Sequence, residues 1–120
     1  MAVRAIRGAT HLTADDAGEM REAVVELVTT MLERNGIGTD ALVSVLFTAT
    51  PDLVSTFPAS AARALAIGDV PLICAQEIDV VGAMPRVVRV MAHVECDLSR
   101  AEVTHVYLRG AEVLRADLAQ

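Results

Sequence analysis

The chain has 120 residues and a formal charge of −6, and it is 53% hydrophobic but only 2% aromatic. Its core must therefore be built from Val, Ala, Leu and Ile, and an acidic chain without a basic patch interleaved with aromatics excludes nucleic acid as a partner class. All ten basic residues are Arg, which excludes Schiff-base chemistry, a lysine nucleophile and a P-loop.

In chain order, "VRAIRGA" reads as a first strand ending near Gly8, with Arg7 on the face of Val3 and Ala5. "TADDAGEMREAVVELVTTMLERNG" sets Met20, Val24, Leu27, Val28, Met31 and Leu32 at helical spacing. Thr13 or Asp15 is expected to cap this helix and Gly36 to terminate it. "ALVSVLFTA" is a second strand, rich in β-branched residues. The chain then turns at Pro51, and Pro58 suits the first turn of a short helix. "PLICAQEI" is a third strand, and "DVVGAMP" is a loop. "RVVRVMAHVEC" is a fourth, long strand. Val87, Arg89, Met91 and His93 share one of its faces; Val88, Val90, Ala92 and Val94 share the other. Ser99 and Glu102 fit a capping box. "THVYLRG" and "EVLRA" around Gly110 suggest a terminal hairpin or bulged pair.

This order predicts one α+β domain over residues 1–120, a mixed β-sheet with helices on one face. The other face needs a cover, and copies of the same chain would supply it. Cys74 and Cys96 lie far apart and the three histidines are scattered, a pattern that suggests neither a metal site nor a disulfide scaffold. The N-terminus carries arginines where a signal peptide needs an apolar run, and no apolar stretch reaches about 18 residues. The expectation is a cytoplasmic protein without a membrane partner.

Charged groups within apolar strands are costly unless paired or useful. Arg7 and Arg89 each interrupt such a strand. Either could snorkel to solvent or pair with a structural acid. With Arg63 and Arg115 they could instead form an anion site, since the guanidinium fork suits carboxylates. Glu77 is a surface acid at a strand end or, between arginines, an ionised hydrogen-bond acceptor. Cys74, three residues before Glu77, points to the opposite face of a regular strand. Either the strand is bulged there or Cys74 acts through its backbone, and without a Cys–His pair it is not read as a nucleophile. Tyr107 could donate to a carboxylate or fill the core with a wet hydroxyl. Phe57 is a pocket wall or a helix staple. His11, His93 and His105 read as structural residues.

Taken together, "IRGAT", "ATPDL" with "FPA" and Arg63, "C-x-QE-x-DV", "RVM" around Arg89, and "HVYL" with "VLR-x-DL" resemble, in this order, the AroH-type chorismate mutases. The resemblance spans nearly the whole chain. It implies a homotrimer with a pseudo-α/β-barrel core, active sites between subunits, and the rearrangement of chorismate to prephenate in aromatic amino acid biosynthesis. It also implies an isomerase with no cofactor and no metal. By similarity the catalytic residues are Arg89, Glu77, Arg7 and Tyr107. Arg89 would donate to the ether oxygen and a carboxylate, Arg7 and Tyr107 would hold carboxylates, and Glu77 would accept from the ring hydroxyl. Ile73, Cys74, Ala75 and Gln76 would form the strand wall of the substrate site; Phe57, Arg63 and Arg115 would line or close it. Ser60 stands where family members often carry a lysine, so one positive contact at the cleft mouth is expected to be missing. The competing reading is a trimeric small-molecule-binding or enamine-deaminase-like module with an interfacial arginine.

Overall fold

The strictest alternation in the sequence, residues 87–96, becomes the centre of the sheet. In a computed structural model the backbone is described for residues 1–118 and the side chains for residues 1–114. The strands are β1 (Ala2–His11), β2 (Leu42–Ala49), β3 (Leu72–Gln76), β4 (Val87–Cys96) and β5 (Val106–Tyr107). The helices are α1 (Ala17–Arg34) and the short α2 (Ala62–Leu65). The sheet order is β3-β2-β4-β1-β5. β4 runs antiparallel to both neighbours, while the outer pairs β2–β3 and β1–β5 are parallel. The expected mixed sheet of an α+β fold is thus observed.

One face of the sheet, carrying Ile6, Val45, Phe47, Val88, Val90, Ala92 and Val94, packs on the apolar stripe of α1. All six helix positions expected from the spacing, Met20 to Leu32, are buried. Gly8 lies where α1 comes closest to β1. A Cβ there would sit 2.5 Å from Met31 Sδ and 3.0 Å from Leu27 Cδ1, so any larger residue would force the Met31 and Leu27 side chains to shift. The opposite face is open. It carries Val3 (56% exposed) and Ile73 (65% exposed), together with Ala5, Arg7, Leu46, Arg89, Met91 and His93.

The start of α1 corrects the sequence reading. Asp16, rather than Thr13 or Asp15, is the N-cap and accepts from the Glu19 N–H at 2.8 Å. Thr13 instead donates its N–H (2.7 Å) and hydroxyl to the Glu19 carboxylate. Asp15 accepts from the Val54 and Ser55 N–H groups, tying the β2–α2 loop to the helix start. Hydrogen bonds from Ser55 hold the Asp15 carboxyl below its usual range, and the Thr13 N–H does the same for Glu19. At the other end Gly36 takes φ +65°, the Gly36 N–H reaches Glu33 O, and the Ile37 N–H reaches Leu32 O. This is the Schellman pattern that terminates helices at glycine.

Three other boundaries differ. β1 continues past Gly8 to His11 because β4 pairs with it over that whole length. β3 ends at Gln76, although the Glu77 N–H still donates to Ala49 O at 2.9 Å. The C-terminal hairpin is absent. β5 pairs with β1 for two residues, then the chain turns through Arg109 (φ +55°) and Gly110 (φ +91°) into a 3-10 segment, Ala111–Leu118. Contacts made far along the chain fix this turn. Arg109 donates to Glu26 at 3.0 Å and Glu22 at 3.3 Å on α1, and Ala111 is fully buried. The Ser99–Glu102 capping box forms as expected, on one turn of 3-10 helix. Among the described residues no helix is long and apolar enough to cross a membrane.

Candidate active site

Strand register decides which side chains can meet on the open face. Arg89 of β4 lies opposite Thr48 of β2 and Ala9 of β1. Thr48 lies opposite Ala75, and Ala9 opposite Tyr107. A single row across the sheet therefore reads Ala75, Thr48, Arg89, Ala9, Tyr107. The next row reads Ile73, Leu46, Met91, Arg7. Small residues flank Arg89 on both sides, which leaves its side chain room over the sheet. With strands about 4.8 Å apart, Tyr107 sits about 10 Å of backbone away, within reach of two long side chains pointing toward a common ligand.

Glu77 bends back over this row. Arg89 Nε donates to Glu77 Oε2 at 3.1 Å and Oε1 at 3.3 Å, and Thr48 Oγ1 donates to Oε2 at 2.7 Å. The Glu77 side chain is 18% exposed and that of Arg89 42%. The carboxylate thus engages only the inner nitrogen of the guanidinium. No described residue accepts from its two terminal nitrogens, which remain available to an anionic ligand.

Arg7 and Arg89 line one shallow cavity of about 170 Å³ with Leu46, Thr48, Val90 and Met91. Two guanidiniums against one carboxylate make this spot locally positive on a net negative chain. The backbone of Arg7 is fixed from outside the sheet pairing, since its N–H donates to His105 Nδ1 at 2.9 Å. A larger cleft of about 510 Å³ adjoins at β3. Its lining includes Phe57, Cys74, Ala75 and Gln76. Ala75 belongs to both this cleft and the Arg89 row.

The register through β3 is continuous, with no bulge. Cys74 accordingly packs toward the core while Glu77 bonds over the open face, and the two side chains diverge as period-2 geometry requires. Ile73 stands on the open face. Arg63 is exposed on α2 and lines a separate cavity with Arg21 and Ser60, so one chain does not bring it to Arg89. The side chain of Arg115 lies outside the described residues.

Two contributors escaped the sequence reading. Thr48 is one strand threonine among several in the sequence, and only its place beside Arg89 in the same row, under the Glu77 carboxylate, reveals its contact. His105, read as structural, is the acceptor that anchors Arg7. Chemically, the site offers two arginines and an oriented carboxylate, with Tyr107 in the same row two strands from Arg89. Among the described residues no group of three His, Cys, Asp or Glu could hold a metal ion.

Sequence and fold are both similar to proteins of one known family. The family model for chorismate mutase type I matches residues 3–118. The chain is 47% identical over 117 residues to "Chorismate mutase AroH" of Thermus thermophilus, covering 97% of this chain and 96% of that protein. It is 39% identical over 120 residues to "Chorismate mutase AroH" of Bacillus subtilis (strain 168), covering 99% and 94%. A solved chorismate mutase from Clostridium thermocellum superposes with a TM-score of 0.89 at 42% identity, over 92% of this chain and 98% of that one. Matched nearly end to end in sequence and in fold, this chain belongs to the chorismate mutase type I family.

Proposed function

We propose that the protein is an isomerase converting chorismate to prephenate, a step toward phenylalanine and tyrosine. The observation that carries this reading is a cavity lined by both Arg7 and Arg89, in which the Glu77 carboxylate occupies only Arg89 Nε. The substrate carries two carboxylates. Within that one molecule a C–O bond breaks as a C–C bond forms, and no atom enters or leaves. No proton transfer, nucleophile or cofactor is needed.

The residues then act by holding shape and supplying charge. Arg7 and Tyr107 grip carboxylate groups and favour the chair-like conformer. Glu77 accepts from the ring hydroxyl. The terminal nitrogens of Arg89 meet the negative charge that grows on the ether oxygen as its bond to carbon parts. The β3 wall from Ile73 to Gln76 places the ring. A millionfold acceleration requires about 8 kcal/mol off the barrier. One preorganised donor at a developing oxyanion supplies about 3–4 kcal/mol, and conformational restriction is of the size needed for the rest.

The open, partly apolar sheet face supports self-association with that face turned inward, and the family resemblance makes the assembly a homotrimer. Phe57, Arg63 and Arg115 would then line or close the cleft between subunits, which gives Arg63 a role that a single chain denies it. A cytoplasmic setting goes with this reading.

The test is direct. Purified protein mixed with chorismate should abolish its ultraviolet absorbance and yield prephenate. Absorbance decay at the uncatalysed rate would refute the proposal. Light scattering on the same sample should give the mass of three chains.

A further inference from the structure

We propose that Thr48 is a positioning residue for this reaction, acting through Glu77. The inference rests on the chorismate mutase reading and deepens it.

Arg89 alone cannot orient the Glu77 carboxylate. Its Nε stands nearly equidistant from the two oxygens, at 3.1 and 3.3 Å. Such a forked contact leaves the carboxylate plane free to pivot about the bisecting direction. The short 2.7 Å bond from Thr48 Oγ1 removes that freedom by selecting Oε2. Oε2 then carries two donors, and Oε1 keeps lone-pair capacity for a substrate hydroxyl. Glu77 needs such a hold, because it lies one residue past the end of β3 and only its N–H, bonded to Ala49 O, continues the ladder.

The hydroxyl is not required for the fold. Thr48 is half-buried in a strand paired on both sides by backbone ladders that do not use its hydroxyl, and valine has nearly its shape with equal liking for strands. Serine keeps the donor while losing only the methyl.

The experiment compares kcat and KM for Thr48→Val, Thr48→Ser and Glu77→Ala, singly and combined. Thr48→Val should lower kcat about tenfold, the loss expected for one hydrogen bond to a charged group, with KM changed less. Thr48→Ser should stay within about twofold of wild type. In the Glu77→Ala background, Thr48→Val should cost nothing further, since the two groups act as one unit. A merely structural threonine would give the same loss with or without Glu77. That result, or unchanged kcat in Thr48→Val, overturns the inference while the functional reading stands. Should the valine variant fail to fold, Thr48→Ala removes the same hydroxyl without adding bulk and carries the same expectation. Wild-type protein inert toward chorismate overturns the functional reading and this inference together.

Discussion

Replacing Glu77 by Gln keeps the shape of the site and removes one charge, which separates a structural ion pair from a substrate-facing acceptor. The two roles predict different magnitudes. At the observed 3.1 Å separation, Coulomb attraction is about 5 kcal/mol at an effective dielectric of about 20, before desolvation is subtracted. Arg89 is 42% exposed, so water screens the pair and its net contribution to stability falls to about 1 kcal/mol. For a chain of this size that corresponds to about 4 °C in Tm. In the occupied cleft the balance differs. A carboxylate accepting from a substrate hydroxyl away from water contributes about 1.5–3 kcal/mol, equivalent to about 10- to 150-fold in kcat/KM. Glu77→Gln should therefore melt within a few degrees of wild type by circular dichroism. Its kcat/KM, from the initial loss of chorismate absorbance, should fall at least about tenfold. A variant that melts far lower yet turns over normally would show that Glu77 serves the fold alone and would refute the reasoning.

Two further outcomes follow from contacts away from the site. Asn35 is buried and its side chain makes three bonds, to Met31 O at 2.7 Å, to Thr104 O at 2.9 Å and from the Thr104 N–H at 2.8 Å; Asn35→Ala should cost about 3 kcal/mol in chemical denaturation by stranding these groups. Asp15, Glu19 and Glu102 have carboxyl groups held below their usual range by hydrogen bonds from Ser55, Thr13 and Ser99 respectively. Folded values below unfolded ones mean that their contribution is fully present above the ordinary carboxylate range, about pH 4, and is lost as pH falls through the folded values. Melting temperature should thus decline on acidification below about pH 4, and Glu19→Gln should flatten that decline.

Much of this architecture was legible because it depends on local periodicity. The α1 stripe and the two faces of β4 follow from spacing alone, and their burial follows that pattern except at Val87, buried on the otherwise open face, and Ala23, an added core position of α1. Strand parity also separated Cys74 from Glu77 correctly. What could not be read were choices settled by distant partners. Two acids and a threonine compete to cap α1, and the winner depends on which one the β2–α2 loop recruits; it takes Asp15 and leaves Asp16 to the helix. The short alternation in "EVLRA" mimics a strand, but Arg109 bonding to α1 turns the chain away before a hairpin can form. Within the site, the isolated charges Arg7, Glu77 and Arg89 advertised themselves against an apolar background. Thr48 did not, because a threonine on an outward strand position is ordinary until the register sets it beside Arg89, within reach of the Glu77 carboxylate.

The central claim is that a fixed positive charge at position 89 stabilises the transition state. Measuring kcat for Arg89→Gln beside wild type, with melting temperature as the control for folding, tests it most directly. Glutamine can still donate a hydrogen bond to the ether oxygen but brings no charge. Arg89→Gln should lose about a hundredfold or more in kcat while remaining folded; turnover within about tenfold of wild type would contradict a role for the charge.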